Sequence, residues 1–94
     1  MENYDLSRLH TSLLRIDGVV AITGDANSTT YEKIRKGLFP PPIKLNNRSS
    51  AWPSYEVHRI VSALIAGATS VEIKLLVKQL IKQRKQKQQL GEKS

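Results

Sequence analysis

The sequence predicts an α+β, mostly helical fold in which a helix-turn-helix is followed by a β-hairpin and two further helices. Three observations lead there. Two short segments with apolar residues meet at Gly24, and the second closes at Gly37, just before Phe39-Pro40-Pro41-Pro42. Two extended runs then flank Asn46-Asn47. Finally, residues 57–65 and 73–81 each carry apolar side chains at i, i+3, i+4, i+7 and i+8, the pattern of a helix that buries one stripe.

Along the chain, residues 1–12 read as an N-terminal extension. Leu6, Leu9 and Leu13 stand at helical spacing, while Leu13, Leu14 and Ile16 suit a short strand equally well. The first helix of the pair follows Asp17, a suitable N-cap, carries Val19, Val20 and Ile22, and closes at Gly24, where a left-handed residue ends a helix well. The second starts near Asp25-Ala26-Asn27, capped by Asp25 or Asn27, with Tyr31 and Ile34 on its core side. The proline run after Phe39 forbids continuation. Two short helices joined at a glycine form a helix-turn-helix.

Ile43-Lys44-Leu45 and Ser49-Ser50-Ala51-Trp52 then form a hairpin with Asn47 and Arg48 at its tip. Pro53 and Ser54 begin the next helix, which Gly67 ends. Thr69-Ser70-Val71-Glu72 has the spacing of a capping box and opens a last amphipathic helix to residue 84. Residues 85–94 are polar and read as a disordered tail. Residues 13–68 make the main domain, and 69–84 are an added C-terminal helix.

Composition narrows the function. The chain has 94 residues, which suits one domain with a small core. Its formal net charge is +7, which favours a polyanionic partner, nucleic acid or an acidic membrane surface. With no cysteine, disulfides, thiolate zinc sites and cysteine nucleophiles are excluded. The first residues do not read as a signal peptide, and no run approaches the ~20 apolar residues of a membrane span. A soluble cytoplasmic protein is therefore expected. His10 and His58 stand far apart, and no nucleophile elbow, phosphate loop or HExxH motif is present. Neither an enzyme nor a bound cofactor or metal is expected.

A family resemblance sits on these residues. Gly24, Ser28-Thr29, Tyr31, Ile34, Gly37, Phe39-Pro40, Pro42, Lys44-Leu45, Arg48, Trp52 and Glu56-Val57 stand in the order and spacing of AlpA-type regulators. Ala66 through Arg84 resembles the C-terminal helix of longer members. The resemblance implies the winged helix-turn-helix of excisionases and the MerR class, with the hairpin as its wing. It also implies a DNA-binding regulator or recombination directionality factor of a phage or genomic island, nucleoid-associated when bound. Ala26 departs from the serine frequent in the family, which leaves the cap to Asp25 or Asn27. Asn27 and Glu32 stand where basic residues are common, and Tyr55 replaces a frequent serine, with Ser54 a substitute cap.

The second helix is then the candidate recognition helix. Asn27, Ser28, Thr29, Thr30, Lys33 and Lys36 are expected to face outward, with polar residues near the N-terminus placed to reach base edges. Arg35 and Lys36 suit either the dipole of the helix end or a phosphate. On the wing, Arg48 suits a minor groove, and Lys44, Asn46 and Asn47 suit phosphates. Trp52, Tyr31 and Phe39 read as core. Lys74, Lys78 and Lys82 form a row that is either a solvated face or a polyanion contact. The stripe of Ile73, Leu76 and Leu80 closes the monomer core or forms a seam, and in the second reading it makes the chain an adaptor that grips a partner such as integrase. Self-association on DNA is a further expectation. A basic amphipathic helix also suits a membrane surface, but its register is that of ordinary core helices, so no membrane partner is expected.

Overall fold

A computed structural model describes residues 11–93, with side chains to residue 85. The described residues form β1 (Leu13–Leu14), α1 (Ile16–Thr23), α2 (Asn27–Arg35), β2 (Ile43–Lys44), β3 (Ser50–Pro53), α3 (Ser54–Ile65) and α4 (Ser70–Lys93). This is a mostly helical α+β fold, and α1 with α2 makes the helix-turn-helix. Gly24 at φ 81° donates its N–H to the Val20 carbonyl and closes α1, a conformation that L side chains resist. The possible helix around Leu6 and Leu9 lies outside the described residues, as does His10.

The hairpin supplies two strands of a three-stranded antiparallel sheet of order β1-β3-β2. Ile43 stands opposite Ala51 and Lys44 opposite Ser50, as the two runs around Asn46-Asn47 require. The third strand is β1, with Leu13 opposite Pro53 and Leu14 opposite Trp52. The strand alternative for Leu13-Leu14 is therefore the one adopted. Ser54 helps to hold it there. Its N–H donates to the Ser12 carbonyl (2.8 Å), and its Oγ accepts from the Ser12 N–H (2.9 Å). Ser54 is thus the first residue of α3 and a clasp for the incoming chain, not the cap expected of it; Pro53 holds the N-cap position.

Val19, Phe39, Trp52, Val57, Ile60, Ile73, Val77 and Leu80 form the core, with Ile34, Leu38 and Leu76 packed against it. Each helix contributes the face its spacing dictates. α4 therefore closes the monomer core with Ile73 and Leu80, which settles the choice between core and seam for those two residues. The proline run is tied down from two sides. Prolines have no N–H to donate, but their buried carbonyls still need donors. Trp52 Nε1 donates to the Pro40 carbonyl (2.9 Å) and Arg84 to the Pro41 carbonyl (2.9 Å).

Three local expectations are corrected. Asp17 is inside the first turn of α1, and Arg15 is the N-cap, its carbonyl accepting from Gly18 and Val19. Tyr31 is half-exposed at 49 %; its ring leans on Trp52 with centroids 6.3 Å apart but stays outside the core. The last helix does not stop at Arg84: its backbone continues to Lys93. Lysine, glutamine and arginine are good helix formers, so polarity alone does not end the element.

The capping box stands as its spacing predicts. The Thr69 N–H donates to Glu72 Oε1 (2.8 Å), and the Glu72 N–H donates to Thr69 Oγ1 (3.2 Å).

Candidate nucleic-acid interface

α2 presents its N-terminus to solvent. Ala26 is the N-cap and supplies no side-chain bond, and neither Asp25 nor Asn27 takes over that task. Asn27, Ser28 and Thr29 are the first three residues of the helix and are all exposed. An uncapped first turn leaves backbone N–H groups unpaired within the helix, and such groups favour an anion such as phosphate. Three short polar side chains surround them.

Thr30 does not belong with these residues. It is 2 % exposed, and its hydroxyl donates back to the Ala26 carbonyl (3.1 Å). Thr30 and Ile34 are four residues apart and share the inward face of the helix. A buried hydroxyl needs a partner, and the carbonyl one turn earlier provides it. Thr30 is removed from the candidate contacts.

The cations of α2 are all in ion pairs. Lys33 Nζ lies 2.8 Å from Asp25 Oδ2, with both side chains about one-third exposed. Asp25 stands one residue before the N-cap Ala26 and gives its carboxylate to Lys33 instead. Arg35 and Lys36 both reach Glu32, Lys36 at 3.4 Å. The hydrogen bond from Lys36, and then the charges of Arg35 and Lys36, hold the Glu32 carboxyl below its ordinary 4.5. Glu32 is three residues from Arg35 and four from Lys36, spacings at which helical side chains meet. That signal was present in the sequence.

The wing is more open. Lys44, Asn46, Asn47 and Arg48 are all exposed. Asn46 Oδ1 accepts from the Arg48 N–H (2.9 Å), an Asx-type turn that shapes the tip. Asn46 thus spends its side-chain oxygen on the loop, while the side chains of Lys44 and Arg48 meet no carboxylate among the described residues. Sequence and structure together leave two exposed groups: the polar start of α2, and the wing with its two cations.

The family model of the prophage CP4-57 regulatory protein AlpA matches residues 12–62, more than half of the chain. The chain belongs to the AlpA family. The matched region runs from the entry to β1 through most of α3, so the AlpA unit contains the helix-turn-helix and the wing; α4 lies beyond it. Among curated proteins, an uncharacterized protein of Enterobacteria phage P4, ORF88, is 43 % identical over 54 residues, which cover 57 % of this chain and 61 % of that relative. The chain thus spans less than two thirds of the relative it matches. No solved structure matches. The AlpA family is a family of phage regulatory proteins, and among the described residues no helix is long and apolar enough to cross a membrane.

Proposed function

We propose that the chain is a sequence-specific duplex-DNA-binding protein of a phage or genomic island, acting as a transcriptional regulator, as a recombination directionality factor, or as both. The observation that carries this reading is the uncapped, exposed start of α2 at Asn27, Ser28 and Thr29, set in a helix-turn-helix that is followed by a basic wing. A helix of this kind enters a major groove with its first residues against base edges. Asn27 suits adenine in that position. Ser28, Thr29 and the free N–H groups suit phosphate, while Arg48 and Lys44 suit the flanking groove and backbone. Lys33, Arg35 and Lys36 contribute only by leaving their carboxylates, so their contacts are secondary.

The test is a gel shift with duplexes from the promoter and attachment region of the parent element, run at two salt concentrations. Discrete, competitor-resistant complexes on one fragment are expected, and the fragment bound separates promoter control from excision. Binding that is erased by salt on every fragment alike would overturn the sequence-specific reading.

An adaptor role that grips integrase or another protein has a narrower footing than the sequence offered. Ile73 and Leu80 are spent in the monomer core. Among the described residues of α3 and α4, the large apolar side chains that remain exposed are Leu64, Ile65, Val71 and Leu75. Capture of the integrase by wild type and not by Val71→Glu would favour that reading.

A further inference from the structure

We infer that Lys74, Lys78 and Lys82 of α4 form a second phosphate-binding surface, which grips the backbone of the duplex that α2 reads. The inference rests on the DNA-binding reading above and assigns a role to a helix outside the AlpA-matched region.

Geometry places the row. The buried side of α4 is marked by Ile73, Val77 and Leu80. With 3.6 residues per turn, Lys74, Lys78 and Lys82 form a row that starts on one flank of that stripe and turns about 40° per step toward the outer face, and Glu72, Gln79 and Gln83 fall on the other flank. All six are exposed. The lysine flank is the one beside the helix-turn-helix. Gly37, at φ 79° in the turn that closes α2, has its missing Cβ position 4.0 Å from Lys74 Cγ. The stem of Lys74 therefore runs along the turn that follows Lys36, and the lysine row continues the basic end of α2 across to the neighbouring helix.

Electrostatics gives the row its task. Lysines at i, i+4 and i+8 repel one another and disfavour the helix. No carboxylate among the described residues pairs with any of the three. Around α2, by contrast, the three cations Lys33, Arg35 and Lys36 share two carboxylates, Asp25 and Glu32. The helix that reads bases is thus largely neutralised, while the helix beside it carries an uncompensated positive edge. Successive lysines are separated by about 6 Å along the axis, close to the rise of two phosphates on one strand, roughly 7 Å. A phosphate backbone relieves the repulsion at all three positions with one ligand.

The experiment compares the full-length chain with K74Q/K78Q/K82Q and with R48A, by titrating a mixed-sequence duplex over a range of salt. Thermal unfolding of each variant is followed in parallel. Glutamine keeps the helix propensity, so the triple variant is expected to melt at or slightly above the wild-type temperature. Its plot of log affinity against log salt is expected to be shallower by about 2.7, at about 0.9 for each phosphate that is no longer neutralised. The slope of R48A is expected to fall by about 0.9. A wild-type slope in the triple variant, with the slope of R48A reduced, would overturn the inference and leave the DNA-binding reading standing. Absence of any salt-dependent duplex binding by wild type would overturn both. Loss of binding to vesicles of equal phosphatidylglycerol and phosphatidylcholine in the triple variant, with its DNA slope unchanged, would assign the row to a membrane surface instead.

Discussion

Arg84 closes on Glu56, a carboxylate with no exposed surface, and joins α4 to the first turn of α3. Arg84 Nε donates to Glu56 Oε2 at 2.8 Å and Nη2 donates to Oε1, while Nη2 also reaches the Pro41 carbonyl. The guanidinium fork matches a carboxylate with two parallel bonds. Glu56 stands in the first turn of α3, where a negative charge also suits the helix dipole. A single arginine thereby binds the last helix, the helix after the wing and the proline run into one unit.

Removing that arginine leaves a buried charge unpaired. Arg84→Met is expected to cost about 3–5 kcal/mol of stability, the usual effect of breaking a buried pair from one side. That is a large part of the 5–15 kcal/mol or so that holds a domain. The double variant Glu56→Met/Arg84→Met removes both charges and is expected to be more stable than Arg84→Met alone. Urea denaturation of the three proteins decides. A loss below about 1 kcal/mol in the single variant, as for a solvated pair, would show that Glu56 is not isolated from water.

What the sequence made legible is what short spacing encodes. Gly24 and Gly37 frame α2, the Asn46-Asn47 turn sets the wing, and the Thr69–Glu72 box opens α4, each within a few residues. The bond between Arg84 and Glu56 joins positions 28 apart and leaves no periodic trace. β1 has only two residues, too few for an alternation to show. In α2, residue type misled where spacing was right. Tyr31 looked apolar and Thr30 polar, yet Thr30 stands four before Ile34 and shares its buried face. On the candidate interface, the exposed start of α2 and the wing were legible. The pairing of Lys33 with Asp25 was not, because the two carboxylate roles open to Asp25, cap and counter-ion, cannot be told apart without its geometry.

The wing gives a prediction that separates binding from folding. Arg48 is exposed at the tip, and among the described residues only its backbone N–H is engaged, by Asn46. Arg48→Ala is therefore expected to keep the wild-type melting temperature and to weaken DNA binding on every sequence tested, since a phosphate or groove contact made by charge is largely sequence-independent. Unchanged affinity, measured by fluorescence anisotropy, would take the wing out of the interface.

Asn27 predicts the opposite pattern. A bidentate amide contact to one base is worth about 1–3 kcal/mol of discrimination. Asn27→Ala is expected to lower affinity for the preferred site by about 5- to 150-fold, with little change on unrelated duplex. Its exposure and its position in the first turn leave the core intact, so the melting temperature is again unchanged. An equal loss on all sequences would make Asn27 a phosphate contact and move base reading elsewhere on α2.

Glu32 couples the charge of α2 to both pH and DNA. Its carboxyl is held below its ordinary value by the Lys36 hydrogen bond and the neighbouring charges, so the folded state binds its proton less readily than the unfolded state. The stabilisation is complete above the unfolded value near 4.5 and is lost as pH falls through the lower folded value. Glu32→Gln removes that contribution, so it is expected to lower stability slightly near neutrality, since both salt bridges are on the surface, and to converge with wild type as pH falls through the folded value, which flattens the acid limb. On DNA the same substitution acts in the other direction. It releases Arg35 and Lys36 from their internal counter-ion, so affinity for duplex should rise and its salt dependence steepen by up to about 0.9 for each cation that gains a phosphate. Wild-type affinity and slope in Glu32→Gln, together with a flattened acid limb, would place the end of α2 away from the backbone and leave its cations with a purely structural role.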